Sequence, residues 1–386
     1  MNPLLHLTET QRAILDAARE FCAAEVTPFA AQWDREARFE PSLIRKLGEL
    51  GFLGMMMPEA YGGHGLDAVT YLMALEEISA ADASVGVLMS VHNSLPSQLL
   101  LKFGTDAQKT EFLGPLARGE LLGAFALSEP DAGSDAASMR TQAVRVGDDW
   151  ILDGTKAWIS AGAHAGVILA MARTDTPDAR KGAKGIGAFI LTPDLPGFKV
   201  GRKENKMGLR ASETVQLVFD NLRVPGSRLL GDPAKGFSYA LQTLEHGRLG
   251  IAAQALGIAR AAFEHAAAWA AERQQFGRAI GEFQGIQFKL ADMATRIHAA
   301  RSLVHATAAA KDRGEAVGEY ASMAKLFATE TAMWVTTQAI QVFGGYGYIT
   351  DYPVEKLFRD AKVTEIYEGT SEIQRVVIGR AAMKPR

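Results

Sequence analysis

The sequence predicts an α+β protein in three parts: an N-terminal α-helical domain over residues 1–122, a central antiparallel β domain over 123–232 and a C-terminal four-helix bundle over 233–386. Three observations predict it. Apolar residues recur at helical spacing up to about Leu122. From Gly123 to Asp232 they gather into short runs separated by Gly, Pro and Asp, and from Pro233 onward long alanine-rich helical patterns return. At 386 residues the chain can bury a large core in more than one domain.

In order along the chain, Thr8 with Gln11 forms a capping box, and Ile14, Ala17, Phe21 and Cys22, then Leu43, Leu47 and Leu50, follow at helical spacing. Pro58-Glu59-Ala60-Tyr61-Gly62-Gly63-His64-Gly65 holds too many helix breakers to be anything but a turn, and His64, lacking a second metal ligand at suitable spacing, reads as a loop residue. Trp150, Ile151 and Leu152 lead into Asp153-Gly154, a hairpin-turn signal. Val167 to Ala172, Ile186 to Leu191 and Val215 to Phe219 read as strands. No long helical patterns separate them, which disfavours a doubly wound parallel sheet and the dinucleotide fold that goes with it. Phe237 to Gln275, Phe283 to Arg313 and Glu319 to Phe343 are long helices, the last ending at Gly344-Gly345. With a shorter helix after Ser371 they make an antiparallel bundle whose alanines imply close axes.

Lys plus Arg is 41 and Asp plus Glu is 44, a net charge of -3, so there is no polybasic field for nucleic acid or an anionic membrane. The one cysteine, Cys22, excludes an internal disulfide framework, fits a reducing compartment and reads as a core residue. The opening MNPLLHLTETQRAIL lacks the pattern of a secretory leader, and runs such as Val85 to Met89 fall far short of the ~20 residues of a membrane span. The expectation is a soluble cytoplasmic protein with no nucleic-acid partner and no membrane insertion.

Chemistry points first to Ile366-Tyr367-Glu368-Gly369-Thr370-Ser371-Glu372-Ile373-Gln374. Ser371 with Gln374 reads as a capping box, and Val376, Val377 and Ile378 continue a helix. Glu368 then sits on the turn entering that helix, where a general base would be placed and where an isolated acid would otherwise only complement the helix dipole. The loop Phe125-Ala126-Leu127-Ser128-Glu129-Pro130-Asp131-Ala132-Gly133-Ser134-Asp135 has hydroxyls and amides for a polar ring edge or a pyrophosphate, or is a plain Ser/Asp/Gly turn. Lys156-Ala157-Trp158-Ile159-Ser160 puts an indole and a hydroxyl at alternate strand positions, suited to a planar cofactor or to a strand with one buried Trp. Glu272-Arg273-Gln274-Gln275-Phe276-Gly277-Arg278 is either a phosphate clamp with an adenine stack or a basic helix end with a Gly C-cap. The glycine-rich turn from Gln341 to Tyr348 follows a helix and so is not a Rossmann fingerprint. Asp351, Lys356, Arg359 and Asp360 beyond it read as a solvated charged face.

Taken in this order the pieces resemble one family, the acyl-CoA dehydrogenases. Ala126 to Asp135 looks like the family's first signature, and Gln341 through Gly344-Gly345-Tyr346-Gly347 to Asp351, Lys356 and Asp360 looks like its second. Met207-Gly208-Leu209-Arg210-Ala211-Ser212-Glu213-Thr214 and Ile366 to Thr370 match in place and order, so the resemblance spans nearly the whole chain.

The resemblance implies the three-part fold above, a homotetramer and FAD held noncovalently. Phe125, Leu127, Ser128, Trp158 and Ser160 would surround the flavin, with Gly133, Ser134 and Ile159 among the contacts. Both Ser128 and Ser160 stand where many members carry Thr. Arg273, Phe276 and Gln284 would meet the adenine-diphosphate half, Gln341, Gly344 and Gly345 would receive it from the neighbouring subunit, and Thr370 and Glu372 match further cofactor contacts. Ser134, Glu245 to Arg248 and Gly369 match acyl-CoA contacts. Glu368 matches the catalytic base, and the alternative place for that base in some members, just before Arg248, is Gly247 here. The implied reaction takes a saturated acyl-CoA to its trans-2-enoyl-CoA, with α-proton removal by Glu368, hydride transfer to flavin N5 and electrons passed on to electron-transferring flavoprotein. Ser90-Val91-His92-Asn93-Ser94-Leu95 and Gly247 look like short-chain and short branched-chain members. An acyl-CoA oxidase using dioxygen and a non-catalytic acyl-CoA or flavin-binding assembly protein are the rival readings.

Overall fold

A computed structural model describes residues 7–174 and 182–383. The reading of the first residues as lacking a leader rests partly on residues 1–6, outside the described residues. Among the described residues seven α-helices come first: α1 (Glu9–Phe21), α2 (Ala30–Glu36), α3 (Ser42–Glu49), α4 (Ala68–Ala81), α5 (Ala83–Ser94), α6 (Pro96–Phe103) and α7 (Asp106–Ala117). The Thr8/Gln11 capping box forms as expected. The buried face of α1 is Leu15, Ala18 and Phe21, so the expected stripe is one residue out of phase at Ile14 and Ala17. Cys22 is buried, and desolvation pushes its thiol up to about 12, which fits an inert core residue. Every residue of α5 is buried, and the Asp82 carboxylate caps its start by accepting from Ser84 and Val85 N–H. A helix wetted on no side belongs at the centre of a large core.

The described residues in the middle of the chain form one eight-stranded sheet built from β1 (Gly123–Ala126), β2 (Gln142–Val146), β3 (Asp149–Ser160), β4 (Val167–Thr174), β5 (Ile186–Leu191), β6 (Phe198–Lys203), β7 (Thr214–Val224) and β8 (Leu229–Leu230). The strand order is β6-β7-β3-β2-β4-β5-β8. Most pairings are antiparallel, but β1 and β2 both run parallel to β4: β1 along Val167–Ala170 and β2 along Arg173 and Thr174. Residues 127–141 therefore leave the sheet between two short strands that share one edge, which is how the Ser128 loop is put outside the sheet. Along β4, Val167, Leu169 and Met171 face a core shared with α6 and α7, while Ile168, Ala170 and Ala172 face the sheet's other core.

Asp153-Gly154 does not make the expected hairpin turn. It lies inside β3 at a register shift against β7, where Gly154 (φ 149°) packs so near Thr141 that a Cβ would lie 2.5 Å from its Oγ1. The β2–β3 hairpin turns instead at Gly147 (φ 63°). Local turn chemistry matches both places, and the pairing partners choose between them.

The C-terminal region holds α8 (Gly236–Glu272), α9 (Gln284–Asp312), α10 (Gly318–Phe343), α11 (Pro353–Thr364) and α12 (Ser371–Ala382), so α11 adds a fifth helix to the four expected. Between α8 and α9, β9 (Gln274–Gln275) and β10 (Arg278–Ala279) form a hairpin with Phe276 (φ 53°) and Gly277 (φ 79°) at its tip. The expected Gly C-cap is therefore a hairpin turn with two consecutive positive-φ residues. Lys356 and Asp360 are not a solvated face either. Lys356 Nζ lies 2.8 Å from Asp82 Oδ2 and 2.7 Å from Asp360 Oδ2 in the interior, and Arg359 pairs with Asp34 at 2.7 Å. The helical period of α11 turns these charges inward, which the local sequence pattern does not reveal. Asp351 is exposed. Among the described residues no helix is long and apolar enough to cross a membrane.

Candidate active site

Glu368 stands on the turn between α11 and α12 with φ 51°, a left-handed conformation rare for a residue with a side chain. The surrounding polar groups hold the turn. Lys325 Nζ on α10 donates to Tyr367 O (2.9 Å) and Gly369 O (2.5 Å), and Gln374 Nε2 donates to Gly369 O (2.9 Å) and Glu368 O (3.4 Å). The Tyr367 hydroxyl donates to Gln254 Oε1 on α8. The cap of α12 is Thr370, whose Oγ1 accepts from Ile373 N–H at 3.3 Å, so the predicted cap at Ser371 is one residue late and Gln374 serves the turn instead. Glu368 N–H has no partner among the described residues.

Both carboxylate oxygens of Glu368 are buried without a hydrogen-bond partner. An unpaired buried carboxylate is costly, and burial pushes its pKa up to about 7, with Lys325 and then Arg248 pulling the other way. Gly247 makes room for it: a Cβ there would sit 1.9 Å from Glu368 Oε2. One turn along α8, a Cβ on Gly250 would lie 2.4 Å from Ser90 Oγ and 3.7 Å from the Tyr71 hydroxyl, both buried and unpartnered. Arg248 donates to Ser322 Oγ at 3.2 Å, and Gly318 packs against Glu245. These are partly polar, buried surroundings for an acid whose proton affinity lies near neutrality, suited to proton abstraction.

A second group of predicted residues meets at the sheet. Ala157 N–H donates to Ser128 O at 2.9 Å, and buried Lys156 Nζ donates to Leu127 O (3.0 Å) and Glu129 Oε1 (2.8 Å). Strand β3 bulges between Lys156 and Ile159, and Trp158 takes φ 62° with 61% of its surface exposed. Ile159 is a core side chain, so only its backbone can serve a ligand. Phe125 and Leu127 pack partly on the core, Ser128 and Ser160 are half-buried, and Gly133 and Ser134 lie exposed on the loop.

A third group lines a cleft of about 800 Å³ containing Arg273, Phe276, Gly344 and Gly345, with the Arg273 guanidinium 5.2 Å from the Tyr346 ring centroid. One chain thus brings together residues assigned by resemblance to two separate contact sets. Gln284 and Gln341 are exposed outside this lining, and Glu372 is exposed on α12. Sequence reading missed Lys325, Gln254 and Tyr71. The signal for Lys325 was a lysine on a row of core positions, Ala321, Ala324, Ala328 and Ala332.

Comparison with known proteins places the chain. Residues 8–120, 124–222 and 234–383 match the N-terminal, middle and C-terminal domains described for acyl-CoA dehydrogenases. The chain belongs to the acyl-CoA dehydrogenase family, flavoprotein oxidoreductases of fatty acid β-oxidation, and is an acyl-CoA dehydrogenase enzyme. It is 48% identical to the short-chain specific acyl-CoA dehydrogenase of Mus musculus mitochondria, over 97% of this chain and 90% of that one. Among solved structures it is similar to butyryl-CoA dehydrogenase from Megasphaera elsdenii (TM-score 0.96, 43% identity, 98% of this chain and 100% of that one). It is also similar to a chain from a structure described as the electron transferring flavoprotein of Acidaminococcus fermentans (TM-score 0.97, 46% identity, 99% and 100%). The residues present fit a flavin dinucleotide. An exposed indole stands beside two hydroxyl residues, a cleft carries a guanidinium and aromatics, and Cβ atoms on Gly344 and Gly345 would meet nothing within 4 Å, leaving backbone open to a ligand.

Proposed function

We propose that this protein dehydrogenates short straight or short branched-chain acyl-CoA thioesters to trans-2-enoyl-CoA, with Glu368 as the base that removes the α-proton. The observation that carries this reading is a buried carboxylate without a partner, held in a left-handed turn against Gly247. Bound FAD supplies the acceptor for the β-hydrogen as hydride. Phe125, Leu127, Ser128, Trp158 and Ser160 would hold the ring and Arg273, Phe276, Gly344 and Gly345 the adenine-diphosphate end.

The chain's own contribution follows from its geometry. Glu368 N–H, left free while the turn's carbonyls are engaged, can donate to the thioester oxygen and stabilise the charge that develops as the α-proton leaves. Closure of the pocket by substrate excludes water and keeps the base near the pKa at which it can both accept and release a proton. Fixing the Cα–Cβ bond between base and hydride acceptor can replace ~7–11 kcal/mol of orientation cost.

Gly247 faces the carboxylate and Gly250 faces Ser90 and Tyr71, three residues or about 4.5 Å further along the axis. A short acyl tail is supported by the similar proteins named short-chain specific acyl-CoA dehydrogenase and butyryl-CoA dehydrogenase. An electron-transferring flavoprotein as acceptor fits the chain similar to this one in the Acidaminococcus fermentans structure. A homotetramer with domains at 1–122, 123–232 and 233–386, in a reducing, cytoplasmic compartment, completes the reading.

The test is anaerobic titration of the FAD-loaded protein with straight and branched acyl-CoAs from C4 to C12. Short thioesters should bleach the flavin, and Glu368→Gln should keep its FAD yet lose bleaching by ~10²–10⁴-fold in rate. Undiminished bleaching in that variant would remove Glu368 as the base, and preference for C10–C12 would remove the short-chain assignment.

A further inference from the structure

We propose that Lys325 is the positioning residue of the base: it bridges the two carbonyls that flank Glu368, holding the turn in its left-handed form, and sets a cation near the carboxylate. This rests on the reading of Glu368 as the base.

Lys325 lies on α10 with none of its surface exposed, and a lysine is almost never fully buried without partners that need it. Its partners are carbonyls and not a carboxylate: Tyr367 O at 2.9 Å and Gly369 O at 2.5 Å, one residue before and one after Glu368. Among the described residues it has no ion-pair contact. A neutral donor would satisfy two carbonyls at far less desolvation cost, so a charge maintained here calls for an electrostatic reason, and the nearby buried carboxylate of Glu368 provides one.

The backbone carries the other half of the argument. A side-chain-bearing residue at φ 51° relaxes unless its neighbours prevent it. Lys325 holds Tyr367 O and, with Gln374, Gly369 O, so the peptide units on both sides of Glu368 are fixed and its N–H stays unpaired.

The charged and titratable groups around the base come from several elements. Arg248 on α8 and Lys325 on α10 favour its ionised form, and the Tyr71 hydroxyl on α4 and the adjoining Tyr367 hydroxyl face it as neutral groups. Glu365 before the turn and Glu372 on α12 act on Lys325, and Glu245 acts on Arg248. Burial lowers Lys325 to about 8, with Glu368 the foremost group opposing that fall.

The experiment compares the FAD-loaded wild type with Lys325→Met and Lys325→Arg, each with and without Glu368→Gln. It reads the rate of anaerobic flavin reduction by butyryl-CoA from pH 5.5 to 9.5, the FAD content, and the melting temperature across the same range. Removing the cation should move the pKa of the base upward, on the order of one unit. Reduction at pH 7 in Lys325→Met should then fall about fivefold and recover as pH rises, while FAD stays bound. The same upward shift should appear in the pH dependence of the melting-temperature difference between Lys325→Met and its Glu368→Gln counterpart. Lys325→Arg should keep the wild-type pKa with a lower maximal rate. A Lys325→Met profile that is merely scaled down at every pH would overturn the electrostatic role. Should Lys325→Met not fold, a Lys325→Arg pKa displaced from the wild type by a unit or more overturns the proposal, and an undisplaced one supports it. Full activity in Glu368→Gln alone would overturn the base assignment and with it the positioning role, whereas an unshifted Lys325→Met profile beside an inactive Glu368→Gln would overturn the role of Lys325 alone.

Discussion

Glu368 is held in a chemically awkward state by its surroundings: an acid without a hydrogen-bond partner, in a conformation that favours glycine. The cost is measurable. Its folded pKa is raised from 4.5 to about 7, so the unfolded chain releases this proton first as pH rises. The sign follows: the group removes folding stability progressively between about pH 4.5 and pH 7, and the loss then stays constant. Glu368→Gln should therefore gain on the wild type over that interval, on the order of 3 kcal/mol in total. Thermal melting of both proteins from pH 4.5 to 8.5 checks it, and a difference independent of pH would contradict the raised pKa. Its place before a helix, beside Gly369, is legible in the residue order. The missing partner is not, because it depends on Gly247 and Leu95 coming from elements far away in the chain.

At the scale of elements, the loop over 127–141 and the bulge of β3 act as one unit. The loop leaves the sheet where β1 and β2 share an edge of β4, and Lys156 and Ala157 fasten it to the bulge that turns Trp158 outward. Glu129 is bound in turn by Arg140 N–H (2.5 Å) and Thr141 N–H (2.9 Å), and these bonds with the Lys156 cation hold its carboxyl below the usual range despite burial. Lys156→Met should destabilise the protein by about 3–5 kcal/mol by leaving Glu129 buried and uncompensated, and replacing both residues with Met should restore much of that loss. Chemical denaturation measures the stability and equilibrium FAD binding the local effect, expected as weakened retention in the single variant. The run Lys156-Ala157-Trp158-Ile159-Ser160 is legible in the sequence as a candidate cofactor site. The bulge, and the inward direction of the lysine, come from cross-strand pairing with β7 and from contact with the loop.

At the scale of the molecule, one buried cation connects all three regions. Lys356 on α11 binds Asp82, which caps α5 in the first helical region, and Asp360, which accepts Leu209 N–H at 2.6 Å from the β region. Lys356→Met should leave two buried carboxylates facing each other and destabilise the folded protein by about 3–5 kcal/mol at neutral pH. The deficit should shrink in acid, because burial raises the pKa of Asp360 and, with the cation gone, that carboxylate takes up a proton. Holoenzyme melting curves at pH 5 and 7.5 check both, and a variant as stable as wild type would show that the contact carries no load between regions.

The order of the elements, the change from helical to strand periodicity and back, the absence of a basic field and the motifs around Ser128, Trp158, Arg273, Gly344 and Glu368 were determined by the sequence alone, because each is a local pattern of apolar spacing, turn residues or charge. Tertiary structure alone decided that Asp153-Gly154 continues a strand, that Lys356 and Asp360 face inward, that Thr370 caps α12 and that Lys325 binds the carbonyls on either side of Glu368. Each of those outcomes depends on which distant groups desolvate or pair with a residue, and a one-dimensional pattern carries no record of them.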